Sequence, residues 1–409
     1  MTPTQLAAAL IFAVNGQNFG NTPDKMQNGQ PVAAFPSIDI AVIAFPENGQ
    51  PVGANVMFSR DYKGGLVAQI APSFGEVRNL RYLADQIDSH GKSVAWLPGA
   101  DWDGMRWETL FGEGQNRFVA PYPASLIKLM VLVGVAREAD AGRSAWDVQW
   151  SYAGKTRYVH EWAEDMIVLS SNEATSAMVA LLHSTGAIVR DATGERGNMV
   201  NDVFARYGLK TLRLSNTKAD GGWTNPAGAG VGHLQMTAWD SARLLWLLDA
   251  GAPAAPWLVQ AQPPIVTSAS RDRMRAMLEG QALHEVLSST LLAGVPGWQV
   301  GIPAKLPDKW IKADGSAELD GEKYPADVRI SNGLAQVRFA HKTGTTENFL
   351  ADAGIVTGIA PNRRHYVISL ITNLGTRYAP DDLTATTWRV PALGAAIDSY
   401  LAEQLEPKK

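Results

Sequence analysis

Ser125 and Lys128 stand three residues apart at the head of an apolar run, Leu126 to Ala136, whose composition and length read as a helix. A serine hydroxyl is a poor nucleophile at neutral pH, and a lysine beside it can take its proton only if burial or nearby positive charge lowers the lysine pKa. Residues three apart share a helix face, and the first-turn N–H groups there are unpaired, so this pair has the parts of an acyl-transfer site. S-x-x-K alone is weak evidence, because Ser89 to Lys92 and Ser215 to Lys218 also satisfy it. A helix N-cap is the ordinary use of such a serine.

Two further motifs favour chemistry. Ser170-Ser171-Asn172 is the only S-x-N in the chain and lies between two stretches of helical spacing, where Ser170 can relay a proton and Asn172 can bond both Lys128 and a substrate amide. Lys342-Thr343-Gly344 is the only K-T-G. On a strand lining the same cleft, Lys342 would supply the positive charge that lowers the Lys128 pKa. Gly344 would admit substrate backbone, while Thr343 and Thr345 offer hydroxyls to a carboxylate.

In this order the motifs resemble those of the class A β-lactamase and D-alanyl-D-alanine carboxypeptidase superfamily, over residues 105 to 405. Tyr122 to Met130 is similar to the nucleophile segment of the low-molecular-weight D,D-carboxypeptidases, and His341 to Val356 to class A relatives. The resemblance implies Ser125 as nucleophile and Lys128 as general base, with the N–H groups of Ser125 and Thr345 as oxyanion hole. It implies a proton network of Ser170, Asn172 and Lys342, a carboxylate grip by Thr343 and Thr345, and no cofactor or metal. Gly301 to Pro307 resembles the loop that runs into the K-T-G strand, so an insertion is expected at 310–336.

One departure bears on mechanism. Class A enzymes activate the deacylating water with a glutamate on the loop after the S-x-N helix, and between Gly208 and Asp249 this chain has none. His233 or Gln235 occupies the expected place. His233 has the right unperturbed pKa for a base, although a structural histidine is the simpler reading. Asp220 reads as a turn residue, and Asp240 and Asp249 as surface residues of the next helix. Deacylation is where the resemblance leans toward peptidases.

Three outcomes stay open: hydrolysis of a β-lactam or a D-alanyl peptide, a penicillin-binding sensor that stays acylated, and a promiscuous carboxylesterase. The missing glutamate favours the sensor, and the lack of a membrane anchor counts against it. An esterase would need no carboxylate grip.

Composition narrows the class. The 409 residues carry a net charge of −4 with 19% charged side chains and no basic run, which points away from nucleic acid and from disorder. Zero cysteines rule out disulfides and thiolate chemistry, and the seven histidines form no ligand spacing. Thirteen tryptophans read mainly as packing. No run approaches a membrane span of roughly 18 apolar residues. Leu6 to Val14 is apolar but lacks a basic start and a cleavage site, so the expected periplasmic or secreted placement is not read from a leader.

The elements that must position these residues are an α/β (α+β) arrangement. An antiparallel sheet drawn from both chain ends is flanked by helices, with a helical middle over about residues 125–292. Residues 1–104 form an N-terminal extension of unassigned role, loosely ordered up to about 35, and 105–409 the catalytic domain. Strands are expected at Ile38 to Phe45, Asn55 to Phe58 and Leu66 to Ile70, and a helix at Val77 to Ile87. Met105 to Leu110 with Arg117 to Ala120 reads as a hairpin, Arg271 to Leu287 as a helix, and Asp314-Gly315 and Asp320-Gly321 as hairpin turns.

Overall fold

The computed structural model describes residues 1–86, 93–94, 100–223, 234–259, 262–319 and 321–406. Helix α1 (Pro3–Gly16) opens the chain, with a capping box in which Thr2 accepts from Gln5 N and the Gln5 side chain accepts from Thr2 N. Strands β1 (Ile38–Ala44), β2 (Val52–Phe58) and β3 (Leu66–Val67) follow. Then come β4 (Leu80–Leu83), β5 (Thr109–Phe111) and β6 (Asn116–Val119).

A 3-10 turn, Ala124–Ile127, leads into α2 (Lys128–Asp140). The helical middle continues with α3 (Val159–Val168), α4 (Asn172–Ser184), α5 (Met199–Arg206), α6 (Ala238–Leu248) and α7 (Ser268–Glu279). A small hairpin, β7 (Ala317–Leu319) and β8 (Glu322–Tyr324), precedes the long strands β9 (Val337–Thr345), β10 (Leu350–Gly358) and β11 (His365–Thr372). Helix α8 (Arg389–Leu405) ends the described chain.

The expected sheet from both chain ends is present: its order is β9-β10-β11-β1-β2-β3, antiparallel throughout, with Thr372 opposite Ile38. Both faces are covered, so its strands read as continuous apolar runs. Ile38, Ile40, Val42 and Ala44 of β1 face a core shared with α1 and α8, whereas Ala41 and Ile43 face the core of the helical middle. A boundary at 104 therefore cuts through one sheet, since β1 and β2 are interior strands.

Several expectations are corrected. Leu6 to Val14 is a core helix that buries Leu6, Leu10 and Val14, so the first 35 residues are not peripheral. The expected helix at Val77 to Ile87 contains strand β4. β4 lies between β5 and β6, antiparallel to the first and parallel to the second, so β5 and β6 are not a hairpin. The helix expected over Arg271 to Leu287 ends at Glu279.

The 310–336 insertion is no bare surface hairpin. Ala317, Leu319, Tyr324 and Val328 share a core cluster with Val168, Leu291 and Leu306, and Trp310 Nε1 donates to Gly280 O at 3.0 Å. Its Asp314-Gly315 turn forms, with Asp314 Oδ1 accepting from Ser316 N at 2.9 Å; Asp320 lies outside the described residues.

Candidate active site

Ser125 sits in the 3-10 turn before α2, where the preceding Ala124 holds a left-handed φ of 48°. Such a backbone persists only where its surroundings impose it. Neighbouring side chains from Ala124 to Leu132 are buried while Ser125 is half-buried, so the turn presents the one hydroxyl out of an apolar run. Lys128 begins α2, and its backbone N–H donates to Ser125 O.

What imposes the turn is the third motif. A Cβ on Gly344 would lie 2.7 Å from Leu126 N and from Pro123 O and 2.8 Å from Ser125 N, so strand β9 presses backbone to backbone on the nucleophile turn. Glycine is required at 344 because the turn occupies the space a side chain would take.

Ser170 caps the gap between α3 and α4, also in a left-handed conformation (φ 59°). Its hydroxyl lies between two fully buried lysines, 3.1 Å from Lys128 Nζ and 2.9 Å from Lys342 Nζ. Lys128 Nζ also donates to Ser170 O and to Asn172 Oδ1 (2.9 Å), and Lys342 Nζ to Thr343 O (2.8 Å). Lys128, Ser170, Asn172 and Lys342 thus form one hydrogen-bonded group.

Burial, then the Lys342 charge, holds the Lys128 pKa well below the ordinary lysine value. Burial pushes Lys342 down to about 7, opposed by the nearby Asp352 and Glu285 carboxyls. The hydrogen bonds say what a neutral Lys128 does. Ser170 O and Asn172 Oδ1 can only accept, so they take both N–H groups of the amine, and its lone pair is left for a hydroxyl proton. Lys342, as ammonium, donates to the far side of the same Ser170 hydroxyl.

Thr343 and Thr345 alternate along β9 with Lys342 and Gly344. Thr343 is buried, and Thr345 Oγ1 has no hydrogen-bond partner among the described residues. His233 lies outside the described residues; Gln235 pairs with Arg213 in a short bridge. Asp220 Oδ1 accepts from Gly222 N at 2.9 Å, a turn residue as expected. Asp240 and Asp249 are not on the surface: Asp240 is buried against Arg243 Nη1 (2.7 Å) and Thr211 N (2.9 Å), and Asp249 against His365 Nε2 (2.6 Å).

The structure adds residues that no motif flagged. Trp223 stands with its ring centroid 5.7 Å from Lys128 Nζ. Gln281 Nε2 donates to Ile167 O (3.0 Å) and His341 O (3.4 Å), tying the end of α3 to β9 just ahead of Ser170 and Lys342. Behind β9, His341 Nδ1 lies 2.8 Å from Asp352 Oδ1, and Asp352 Oδ2 accepts from Leu287 N at 3.0 Å. Burial, and after it the Lys342 charge, holds the His341 pKa well below its usual value. Among the described residues no group of His, Asp and Glu is arranged to hold a metal ion, and no helix is long and apolar enough to cross a membrane.

Comparison with known proteins finds no match among curated sequences. Among solved structures the chain is similar to PBP-A (19% identity, 70% of this chain and 82% of that one, TM-score 0.41). It is also similar to a β-lactamase from Sphaerobacter thermophilus (19%, 74% and 89%, 0.43) and a class A β-lactamase from Bacteroides cellulosilyticus (14%, 99% and 99%, 0.46). A family model described as the β-lactamase enzyme family matches residues 317–389, the stretch that carries the K-T-G strand and the next two strands of the sheet. Gly344, whose close approach holds β9 against the Ser125 turn, lies within that matched segment.

Proposed function

We propose that this protein is a serine hydrolase that opens an amide bond, of a β-lactam or a D-alanyl peptide, through an acyl-Ser125 intermediate. The observation that carries the reading is the Ser170 hydroxyl held between two fully buried lysines. Neutral Lys128 takes the Ser125 proton as Oγ attacks the carbonyl carbon. The N–H groups of Ser125 and Thr345 receive the developing oxyanion. Ser170 then passes a proton to the leaving nitrogen while Lys342 keeps the local charge positive, and a carboxylate on the substrate meets Thr343 and Thr345. Such substrates place the enzyme in the periplasm or outside the cell.

The reading extends to the second half of the cycle. From Gly208 to Trp239 the only carboxylate is Asp220, which is exposed and engaged in its own turn. Among the described residues the charge that acts on Lys128 is that of Lys342, and no carboxylate does. Both favour slow deacylation, and hence a persistent acyl-enzyme with β-lactams. Intact-protein mass spectrometry after mixing with a penicillin, with Ser125→Ala as control, tests this. A long-lived adduct equal to the drug and absent from Ser125→Ala is expected. No adduct with penicillins or with D-alanyl peptides removes the proposal, and an adduct that decays within seconds removes its slow-deacylation half.

A further inference from the structure

The chain that follows Leu214 is docked on α4 before it reaches the site. Thr217 is fully buried, with Oγ1 3.0 Å from His183 Nε2 near the end of that helix. The turn from Lys218 to Gly222 is closed by Lys218 N donating to Gly222 O at 2.7 Å, and Tyr152 OH donates to Asp220 O at 2.9 Å. Gly221, at φ 89°, packs so tightly that a Cβ there would come within 2.4 Å of Ser176 O. The residue delivered by this pinned turn is Trp223, 9% exposed, with its ring over Lys128 Nζ.

Among the described residues, the other groups that face Lys128 come from β9 and from the motif between α3 and α4. Lys342 faces it from β9, and neutral Ser170 and Asn172 face it from the motif between α3 and α4. On α4, Glu173 is turned to Lys155 at 2.6 Å, and at the end of α3 Asp165 is paired with Arg157 at 2.5 Å. The charged members of the docked turn, Lys218 and Asp220, are exposed. Glu285 and Asp352 act on Lys342 instead. At 5.7 Å the ring lies near the outer limit, roughly 6 Å, of useful cation–π attraction, so its main effect on the amine is to exclude water.

We infer that Trp223 is a positioning residue: its ring, fixed by the turn docked on α4, holds water off the Lys128 amine. The inference rests on the reading of Ser125 and Lys128 as nucleophile and base, and its test separates the two. Lys128 is titrated by NMR in lysine-labelled protein, assigned with Lys128→Met, in the wild type, Trp223→Phe, Trp223→Ala and Gly221→Ala. The acylation rate by a penicillin is followed over the same pH range.

Removing the ring rehydrates the amine and favours its charged form, so the Lys128 midpoint and the acid limb of acylation both move to higher pH. A shift of about one unit or more, tenfold in the neutral fraction below the midpoint, is expected for Trp223→Ala. Trp223→Phe leaves both in place. Gly221→Ala, which displaces the turn without touching either side chain, moves them in the same direction and carries the test if Trp223→Ala does not fold. Midpoints unchanged in the alanine variants overturn the inference. A midpoint that moves in a protein that neither penicillin nor a D-alanyl peptide acylates leaves the Lys128 inference standing and removes the acyl-transfer reading.

Discussion

Two buried lysines share one hydroxyl, so their proton states are linked, and the proposed acylation needs Lys128 neutral with Lys342 charged. Because the Lys342 pKa is lowered to about 7, its ammonium is present below that pH and lost above it. The acylation rate should therefore decline as pH rises through about 7. Arginine stays charged throughout this range, so Lys342→Arg should move the decline to higher pH, read by stopped-flow acylation against pH. An unchanged alkaline limb would place it on another group. Ser170→Ala removes the relay, and a loss of about 10²-fold or more in acylation is expected, with binding little changed. At this scale the sequence was most legible. Ser125, Lys128, Ser170, Asn172 and Lys342 carry unusual spacings that mark them without a structure. Trp223 and Gln281 carry none: one tryptophan among thirteen and one amide in an irregular segment have no pattern to find.

Strand β9 and the nucleophile turn meet with no side chain between them, and that contact sets the distance between the two lysines. Gly344→Ala forces the turn or the strand to shift, because backbone atoms already stand at 2.7 to 2.8 Å from where the Cβ would go. A displacement of about 1 Å costs roughly 10²-fold in such sites, so acylation should fall far more than thermal stability. Gln281→Leu leaves the buried Ile167 and His341 carbonyls without that donor, about 1–3 kcal/mol by denaturation, with slower acylation as the motifs drift apart. Elements were read well where the apolar run was long, as in β1 and α2. They were misread where short. The stretch Val77 to Leu83 has a mixed pattern, and its strand character comes from pairing with β5 and β6, the latter 36 residues ahead at Asn116 opposite Leu80. Helix α1 looked peripheral because its partners, β2 and α8, lie at positions no local window reaches.

The whole molecule is fastened by buried ion pairs between distant segments. Arg364, next to β11, holds Asp398 of α8 through Nε (2.8 Å) and Nη2 (2.9 Å), and Tyr366 OH donates to the same carboxylate at 2.8 Å. Asp398→Ala leaves the guanidinium buried against Glu406 and Gln336 alone, and a loss of about 3–5 kcal/mol is expected by urea denaturation. Arg377 is paired in the same way with buried Asp24, 353 positions away. None of these partners was legible, since an ion pair leaves no trace in spacing when the sequence distance is so large.

The joining of early and late strands in one sheet also dictates when the lysine pair can assemble. Ser37 N donates to Asn373 Oδ1 across 336 positions, and β1 meets β11 only after nearly the whole chain is present. During synthesis the nucleophile helix is made long before β9 can press on its turn, and β1 waits with an open edge that another chain can pair. Ser125 and Lys128 thus emerge early but do not meet Lys342 until the last strands of the sheet arrive, so on the proposed reading the nucleophile is made well before it is armed.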